Sequence, residues 1–111
     1  LIFSEKIWKP ITNLQPFIYL DDVGALKRLR EYGFKTFEPF IDESYDKVYD
    51  IKKRFNMIEE EIIKLCNKPI QEIHDWYWSI EDVIKHNYYH FYEKFIPDMK
   101  IKMIDELEEL L

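Results

Sequence analysis

Two short apolar runs with one helix between them constrain the fold of this chain more than any other feature. The runs occupy residues 16–20 and 34–37. Between them, Asp22 is suited to begin a helix and Gly33 is suited to end it in a left-handed conformation. A strand, a helix and a second strand in about 20 residues form a βαβ unit with parallel strands and a right-handed crossover. Because parallel strands are normally buried on both faces, we expect this unit to belong to a larger sheet.

The remaining sequence has a helical pattern. Apolar side chains recur in steps of three and four along residues 47–67, which predicts one buried helix face with Phe55 as its large aromatic member. The members of this face are Ile51, Phe55, Ile58, Ile62 and Leu65. Residues 70–78 predict a short helix or a turn region. The segment after Ser79 predicts a further helix, and Pro97 is suited to begin a last one.

The sequence therefore predicts an α/β fold class. A βαβ unit of a parallel, nucleotide-binding-like sheet would be followed by an α-helical C-terminal part. Residues 1–46 would close the α/β part of the lobe, and residues 47–111 would pack on it as helices. Because two parallel strands do not stand alone in water and the chain begins with Leu1 in mid-pattern, we expect a fragment of a larger lobe.

Charge is distributed unevenly along the chain. The net charge is −6 at pH 7, with ten Lys/Arg against nine Asp/Glu in residues 1–55 and six against thirteen in residues 56–111. Nonspecific nucleic-acid binding needs a basic surface, so the acidic second half argues against a nucleic-acid partner. Cys66 is the only cysteine, which excludes an internal disulfide and fits a reducing compartment. No apolar run reaches the roughly 20 residues of a membrane span, and we expect a cytoplasmic protein.

The segment from Ser4 to Lys6 is the most informative one for function. Ser4 is a good N-cap residue, and a helix start presents free backbone N–H groups and a partial positive charge to an anion. Lys6 would add a full charge beside a phosphate, and Glu5 could accept hydrogen bonds from sugar hydroxyls. The alternative is a solvated first turn in which the helix dipole simply favours Glu5.

A family resemblance adds to this interpretation. Residues 4–8, with the sequence SEKIW, resemble a short signature in the donor-binding domain of fucosyltransferase-like GT-B glycosyltransferases. Residues 16–20 stand where that family has a strand after the signature. The resemblance implies a nucleotide-sugar donor as substrate with no separate cofactor, and it places Glu5 at the ribose and Lys6 at the phosphates. Residues 2–50 are also similar to the ends of uncharacterised proteins encoded by large phages and viruses.

Two functions follow from these observations. The first is the C-terminal part of a glycosyltransferase, with Ser4, Glu5 and Lys6 at the nucleotide sugar. Its catalytic base and its binding site for an unknown acceptor would lie in a missing N-terminal lobe or partner chain. The alternative is a non-catalytic, glycosyltransferase-like module that serves interaction or assembly through its aromatic and acidic helices.

An acidic loop after the second apolar run offers further chemistry. Asp42, Glu43 and Asp46 would lie near the carboxyl ends of the predicted strands, where ligands of open α/β sheets bind. They could hold a divalent cation or sugar hydroxyls. The favoured alternative is structural, with Ser44 or Asp46 beginning the helix at Lys47.

Histidines and aromatic residues in the second half also have two interpretations. His86 and His90 share a helix face and could bind zinc, but no Glu follows His86 as in zinc proteases, and we expect no metal site. Aromatic residues in segments 76–78 and 88–95 could stack on sugars or bases, although core packing is favoured.

The C-terminal helix is predicted to be amphipathic. It carries acidic residues opposite an apolar stripe, and it could lie on a partner helix. The acidic residues are Asp105, Glu106, Glu108 and Glu109.

Overall fold

The computed structural model describes residues 5–111. Its regular structure is helical, and residues 5–111 contain no β-strand. The predicted α/β class with a parallel nucleotide-binding-like sheet is therefore wrong, and the predicted division of the chain at residue 46 stays a prediction. The helices are α1 (Trp8–Thr12), α2 (Ala25–Glu31), α3 (Ile51–Asn67), α4 (Ile70–Ser79), α5 (Glu81–His90) and α6 (Ile96–Leu110).

Three short turns complete the helical structure. Two are 3₁₀ turns at Glu5–Ile7 and Ser44–Lys47, and the third is a π-helical turn at Phe91–Phe95 that joins α5 to α6. Pro97 follows this turn near the start of α6. Proline lacks the N–H that would continue the regular hydrogen-bond pattern, and a π turn is one way in which a long helix absorbs such an interruption.

The two segments predicted as strands have no regular secondary structure, and in the second of them side chains bond to backbone groups that a neighbouring strand would fill. The amide of Asn87 accepts a hydrogen bond from the backbone N–H of Lys35 at 2.8 Å and donates one to its carbonyl at 2.9 Å. The N–H of Phe37 donates to Glu43 Oε2 at 3.1 Å. These bonds satisfy backbone groups of residues 34–37 without a sheet.

The first long connection is organised around α2. Gly33 has a φ of 97°, so the predicted left-handed helix end is confirmed. The predicted start at Asp22 is wrong, because the N-cap residue is Gly24. The capping hydrogen bonds come from Asp46, whose two carboxylate oxygens accept from the N–H groups of Leu26 at 2.9 Å and Lys27 at 3.0 Å.

One apolar core unites the chain. It takes side chains from α1, α2, the two segments predicted as strands, α3, α5 and the π turn, so residues on both sides of position 46 contribute. Trp8 is partly buried and packs against three aromatic rings of this core. Its centroid lies 5.8 Å from Phe34, 5.1 Å from Phe91 and 4.7 Å from Phe95. Aromatic stacking of this kind replaces the sheet as the support for α1.

Helix α3 buries Ile58 of the predicted face, whereas Ile51, Phe55 and Ile62 of that face are exposed. Arg54, Ile58 and Glu61 are its buried residues. Phe55 is 46% exposed, so the prediction that it is a buried core residue is wrong. The carboxylate of Glu61 accepts from the N–H of Asp42 at 2.7 Å, and Arg54 Nη1 donates to the Val48 carbonyl at 2.8 Å. These polar anchors fix the rotation of α3 and leave part of its apolar stripe outside.

Candidate functional site

The predicted nucleotide site lies at the edge of the described residues. Ser4 is outside them, so its capping role stays a prediction. Glu5 begins a 3₁₀ turn, and Lys6 is exposed on it. The following helix, α1, has only five residues. Because no sheet supports this turn, the structure lacks the α/β framework that the family resemblance implies, and contacts of Glu5 and Lys6 with a nucleotide sugar stay a prediction.

The acidic loop acts as a hydrogen-bonding centre for the backbone. Asp46 holds the start of α2, and Glu43 holds the N–H of Phe37. Asp42 accepts from the N–H of Ser44 at 3.0 Å. Within residues 5–111, no group of three or more histidine, cysteine or acidic side chains is arranged to hold a metal ion. The prediction that Ser44 or Asp46 begins the helix at Lys47 is wrong, because α3 begins at Ile51.

The start of α3 has its own cap, which the sequence interpretation missed. Asp50 is the N-cap residue, and its carboxylate accepts from the N–H groups of Lys52 at 3.0 Å and Lys53 at 3.4 Å. Aspartate two and three positions before these donors is a standard capping arrangement. Asp46, although close in sequence, is thereby left to serve α2.

Glu43 is one of two buried acids in this loop, with Asp46. Glu43 is 4% exposed, and burial raises the pKa of its carboxyl above the ordinary value of 4.5. Hydrogen bonds from Thr36 and from the backbone of Phe37 oppose the rise. Arg30 Nη1 lies 3.8 Å from Glu43 Oε1, which has no hydrogen-bond partner. Burial also raises the pKa of the neighbouring Tyr45 hydroxyl.

The two histidines of α5 contact the C-terminal end of α2. His86 Nε2 lies 2.8 Å from the Gly33 carbonyl, and His90 Nε2 lies 2.5 Å from the Tyr32 carbonyl. Because a carbonyl only accepts, each Nε2 is the donor. The last carbonyls of a helix otherwise lack partners, so His86 and His90 complete the C-terminus of α2.

The aromatic residues of segments 76–78 and 88–95 pack within the protein only in part, since Trp78, Tyr89 and Tyr92 are exposed. Phe91 and Phe95 are buried, and Trp76 stacks on Phe40 with centroids 4.2 Å apart and planes at 9°. Trp78 is 57% exposed and borders a small cavity of about 160 Å³. The cavity is lined by Leu14, Tyr77, Trp78, Glu81, Ile84 and Lys85.

The polar groups at this cavity are already engaged. Lys85 Nζ pairs with Glu81 Oε1 at 2.7 Å, and the Tyr77 hydroxyl donates to the Leu14 carbonyl at 2.8 Å. Leu14 itself has a φ of 56°, and this hydrogen bond holds its carbonyl in place. The cavity is therefore a gap in packing between α4, α5 and the turn after α1.

A continuous apolar surface is present on α6. Every residue from position 101 to position 111 is exposed, and α6 has no buried residue. Met103, Ile104 and Leu107 lie on one helix face with Leu110 and Leu111, because residues three and four apart are neighbours on a helix. We call this set of five residues the α6 face. Ile104 is 54% exposed and Leu110 is 83% exposed.

Two buried polar residues that organise the fold were missed by sequence reasoning. Asn87 in α5 lies three positions after Ile84 and four positions before Phe91 of the π turn. All three residues are buried. Glu61 lies in the same way between Ile58 and Leu65 in α3. A polar residue at a position where the apolar spacing predicts burial was the signal available in the sequence.

Comparison with known proteins finds no matching family model, no matching curated protein and no matching solved structure. In the described part of the chain, no helix is long and apolar enough to cross a bilayer. The function must therefore be argued from the surfaces and contacts of this structure.

Proposed function

We propose that this chain is a non-catalytic interaction module that docks through α6. The carrying observation is the α6 face, which lies on a helix with no buried residue. Its five members are each more than half exposed. Contiguous apolar surface of this kind is characteristic of interaction sites.

The position of α6 in the fold supports a docking role. Ile96 and Met99, at its beginning, are partly buried against the core, whereas residues 101–111 are all exposed. The helix is thus fixed at one end and presents the remainder to solvent. An apolar face on a fixed helix is the arrangement by which amphipathic helices bind other helices or grooves.

The charge of α6 favours a protein partner over a lipid surface. Helices that lie on membranes usually carry lysine and arginine on the polar face. The polar face of α6 carries four acidic residues after position 104, which anionic lipid would repel. These residues are Asp105, Glu106, Glu108 and Glu109.

A designed probe helix tests this proposal. The probe is a fluorescent synthetic amphipathic peptide with a leucine face flanked by lysines, and its binding is followed by anisotropy. We expect Ile104→Ser with Leu107→Ser to weaken probe binding by this 111-residue chain at least tenfold, since two apolar contacts at the centre of the face are removed. Ile70→Ser is the matched control, because Ile70 is 87% exposed but lies on α4. Equal binding by the double variant and the wild type would overturn the proposal.

The sugar-nucleotide hypothesis makes a different prediction for the same protein. It requires a nucleoside diphosphate to bind at Lys6. Lys6→Ala would then remove a charge-assisted contact and weaken binding by about 1.5–3 kcal/mol, or roughly tenfold to a hundredfold in affinity. Isothermal titration calorimetry measures this directly. The interaction-module proposal predicts no heat of nucleotide binding at any titrated concentration.

A further inference from the structure

We propose that the occupant of the α6 face is α6 of a second copy of this chain, packed antiparallel to the first. This inference rests on the proposed docking role of α6 and names the partner. It is supported by the order of charges along the helix, because an antiparallel copy places its acidic residues opposite the lysines of the first.

The charges of α6 change sign along its length. Lys100 and Lys102 precede position 104, and four acidic residues follow it; Asp98, in the first turn of α6, is paired with Lys94 at 3.4 Å. A parallel second copy would place lysine against lysine and acid against acid. An antiparallel copy places the basic half of each helix against the acidic half of the other, and opposite charges across an interface fix orientation.

The same charge order is unfavourable within a single helix. The last turn of α6 contains no basic residue, and Glu106, Glu108 and Glu109 lie near its C-terminal end. Acidic side chains near a helix C-terminus interact unfavourably with the helix dipole. Lysines supplied there by an antiparallel second copy would offset this penalty.

Lys100 gives the clearest indication of a charged partner. It lies one turn before Ile104 and so shares the α6 face. None of its neighbours three and four positions away is acidic; they are Ile96, Pro97, Met103 and Ile104. Covering this face with a wholly apolar surface would bury the ammonium group unpaired, which is unfavourable. A second copy centred on Ile104 brings Glu108 opposite Lys100.

A two-fold axis near Ile104 gives a consistent register. Ile104 then meets Ile104 of the second copy, and Ile101 meets Leu107. Beside this seam, Lys100 meets Glu108. Both apolar and charged positions are complementary in this one register, and a closed two-fold pair leaves no repeating surface for further copies to join.

The association is expected to be weak, because two helices of this length bury less than the roughly 1,200–2,000 Å² of a standard interface. We therefore expect a dissociation constant in the micromolar range or above. Sedimentation equilibrium of the full chain between about 10 µM and about 500 µM covers this interval. A wild type that is monomeric throughout would overturn the inference.

Charge exchange tests the antiparallel orientation. Lys100→Glu should weaken self-association at least tenfold. Glu108→Lys should do the same, even though it moves the net charge of −6 toward zero and reduces overall repulsion. The double variant that combines both changes keeps the wild-type net charge and restores antiparallel complementarity, so we expect it to self-associate like the wild type. A double variant that is helical by circular dichroism but monomeric would overturn the inference.

Disulfide trapping tests the register. In a Cys66→Ser background, Ile104→Cys should form a covalent dimer on mild oxidation, because position 104 faces itself. Leu110→Cys should cross-link at least tenfold more slowly. Equal rates for the two cysteines would overturn the proposed register.

The outcomes separate this inference from the docking role on which it rests. A monomeric wild type that still binds the leucine-lysine probe through Ile104 and Leu107 would disprove the second copy and keep the docking role. A wild type that neither self-associates nor binds the probe would disprove both.

Discussion

Gly33 and His90 are in such close contact that a Cβ added to Gly33 would lie 2.6 Å from Cε1 of the His90 ring. The same ring is hydrogen-bonded through Nε2 to the carbonyl of Tyr32. The absence of a side chain at Gly33 therefore has two reasons, the positive φ at the end of α2 and the approach of α5.

Gly33→Ala should destabilise the protein by about 1–3 kcal/mol from backbone strain, with an additional penalty from displacing His90. Gly24→Ala is a matched control, since Gly24 also has a positive φ but the nearest atom to an added Cβ is Arg28 Nη1 at 3.5 Å. Urea unfolding of both variants isolates the steric component. Equal destabilisation at the two glycines would show that the His90 contact contributes nothing.

Asn87→Ala should lower the free energy of unfolding by about 1–3 kcal/mol, because it removes both hydrogen bonds to Lys35. Asn56→Ala serves as the control, since Asn56 is exposed on α3. The measurement is urea unfolding followed by tryptophan fluorescence. Indistinguishable midpoints for the two variants would mean that water replaces the amide of Asn87 without loss.

The pH dependence of stability should report the buried carboxyl of Glu43. Burial raises its folded-state pKa above the ordinary value of 4.5, so above that pH the folded chain retains a proton that the unfolded chain has released. The free energy of unfolding should therefore fall as pH rises from 4.5 through the folded-state pKa. Glu43→Gln removes this titration and should flatten the decline. Glu59→Gln, at an exposed position, should leave the slope unchanged, and a Glu43→Gln slope equal to that of the wild type would contradict the prediction.

The rotation of α3 predicts opposite behaviour for two of its apolar residues. Ile58 is 5% exposed, and Ile58→Ala should cost about 2–5 kcal/mol. Phe55 is 46% exposed, and Phe55→Ala should cost about 1 kcal/mol or less. Thermal or urea unfolding of the two variants distinguishes them. A larger loss at Phe55 would place the other face of α3 against the core.

The sequence was most informative where structure depends on neighbouring residues. Gly33 predicted the end of α2 because a left-handed residue after a helix is a local requirement. The end of α3 at Asn67 and the start of α4 at Ile70 were predictable from helix-ending residues, with Pro69 between the two helices.

Sequence reasoning failed where distant side chains satisfy the backbone. Residues 34–37 have the composition of a strand, but the hydrogen-bond partners of Lys35 and Phe37 are Asn87 and Glu43. The cap of α2 is Asp46, about 20 residues away. The residues near Lys35 and Leu26 give no indication of such distant partners. A local pattern therefore could not distinguish a strand paired in a sheet from an irregular segment whose backbone is bonded to side chains.

The candidate site was predictable in part. The amphipathic character of α6 follows from residues 101–111 alone, whereas its exposure depends on how α5 and the π turn direct the helix away from the core. The predicted nucleotide site depended on an α/β lobe, and the helical fold removes that support while leaving Lys6 exposed.

The amide of Asn87 has a consequence for solubility as well as for folding. An extended apolar segment with free N–H and C=O groups is a template for strand addition by other chains, which is how unprotected sheet edges aggregate. Asn87 occupies both backbone groups of Lys35, so an incoming strand finds no donor or acceptor there. A single helix side chain thus protects the segment of this protein that most resembles a β-strand from intermolecular β-pairing.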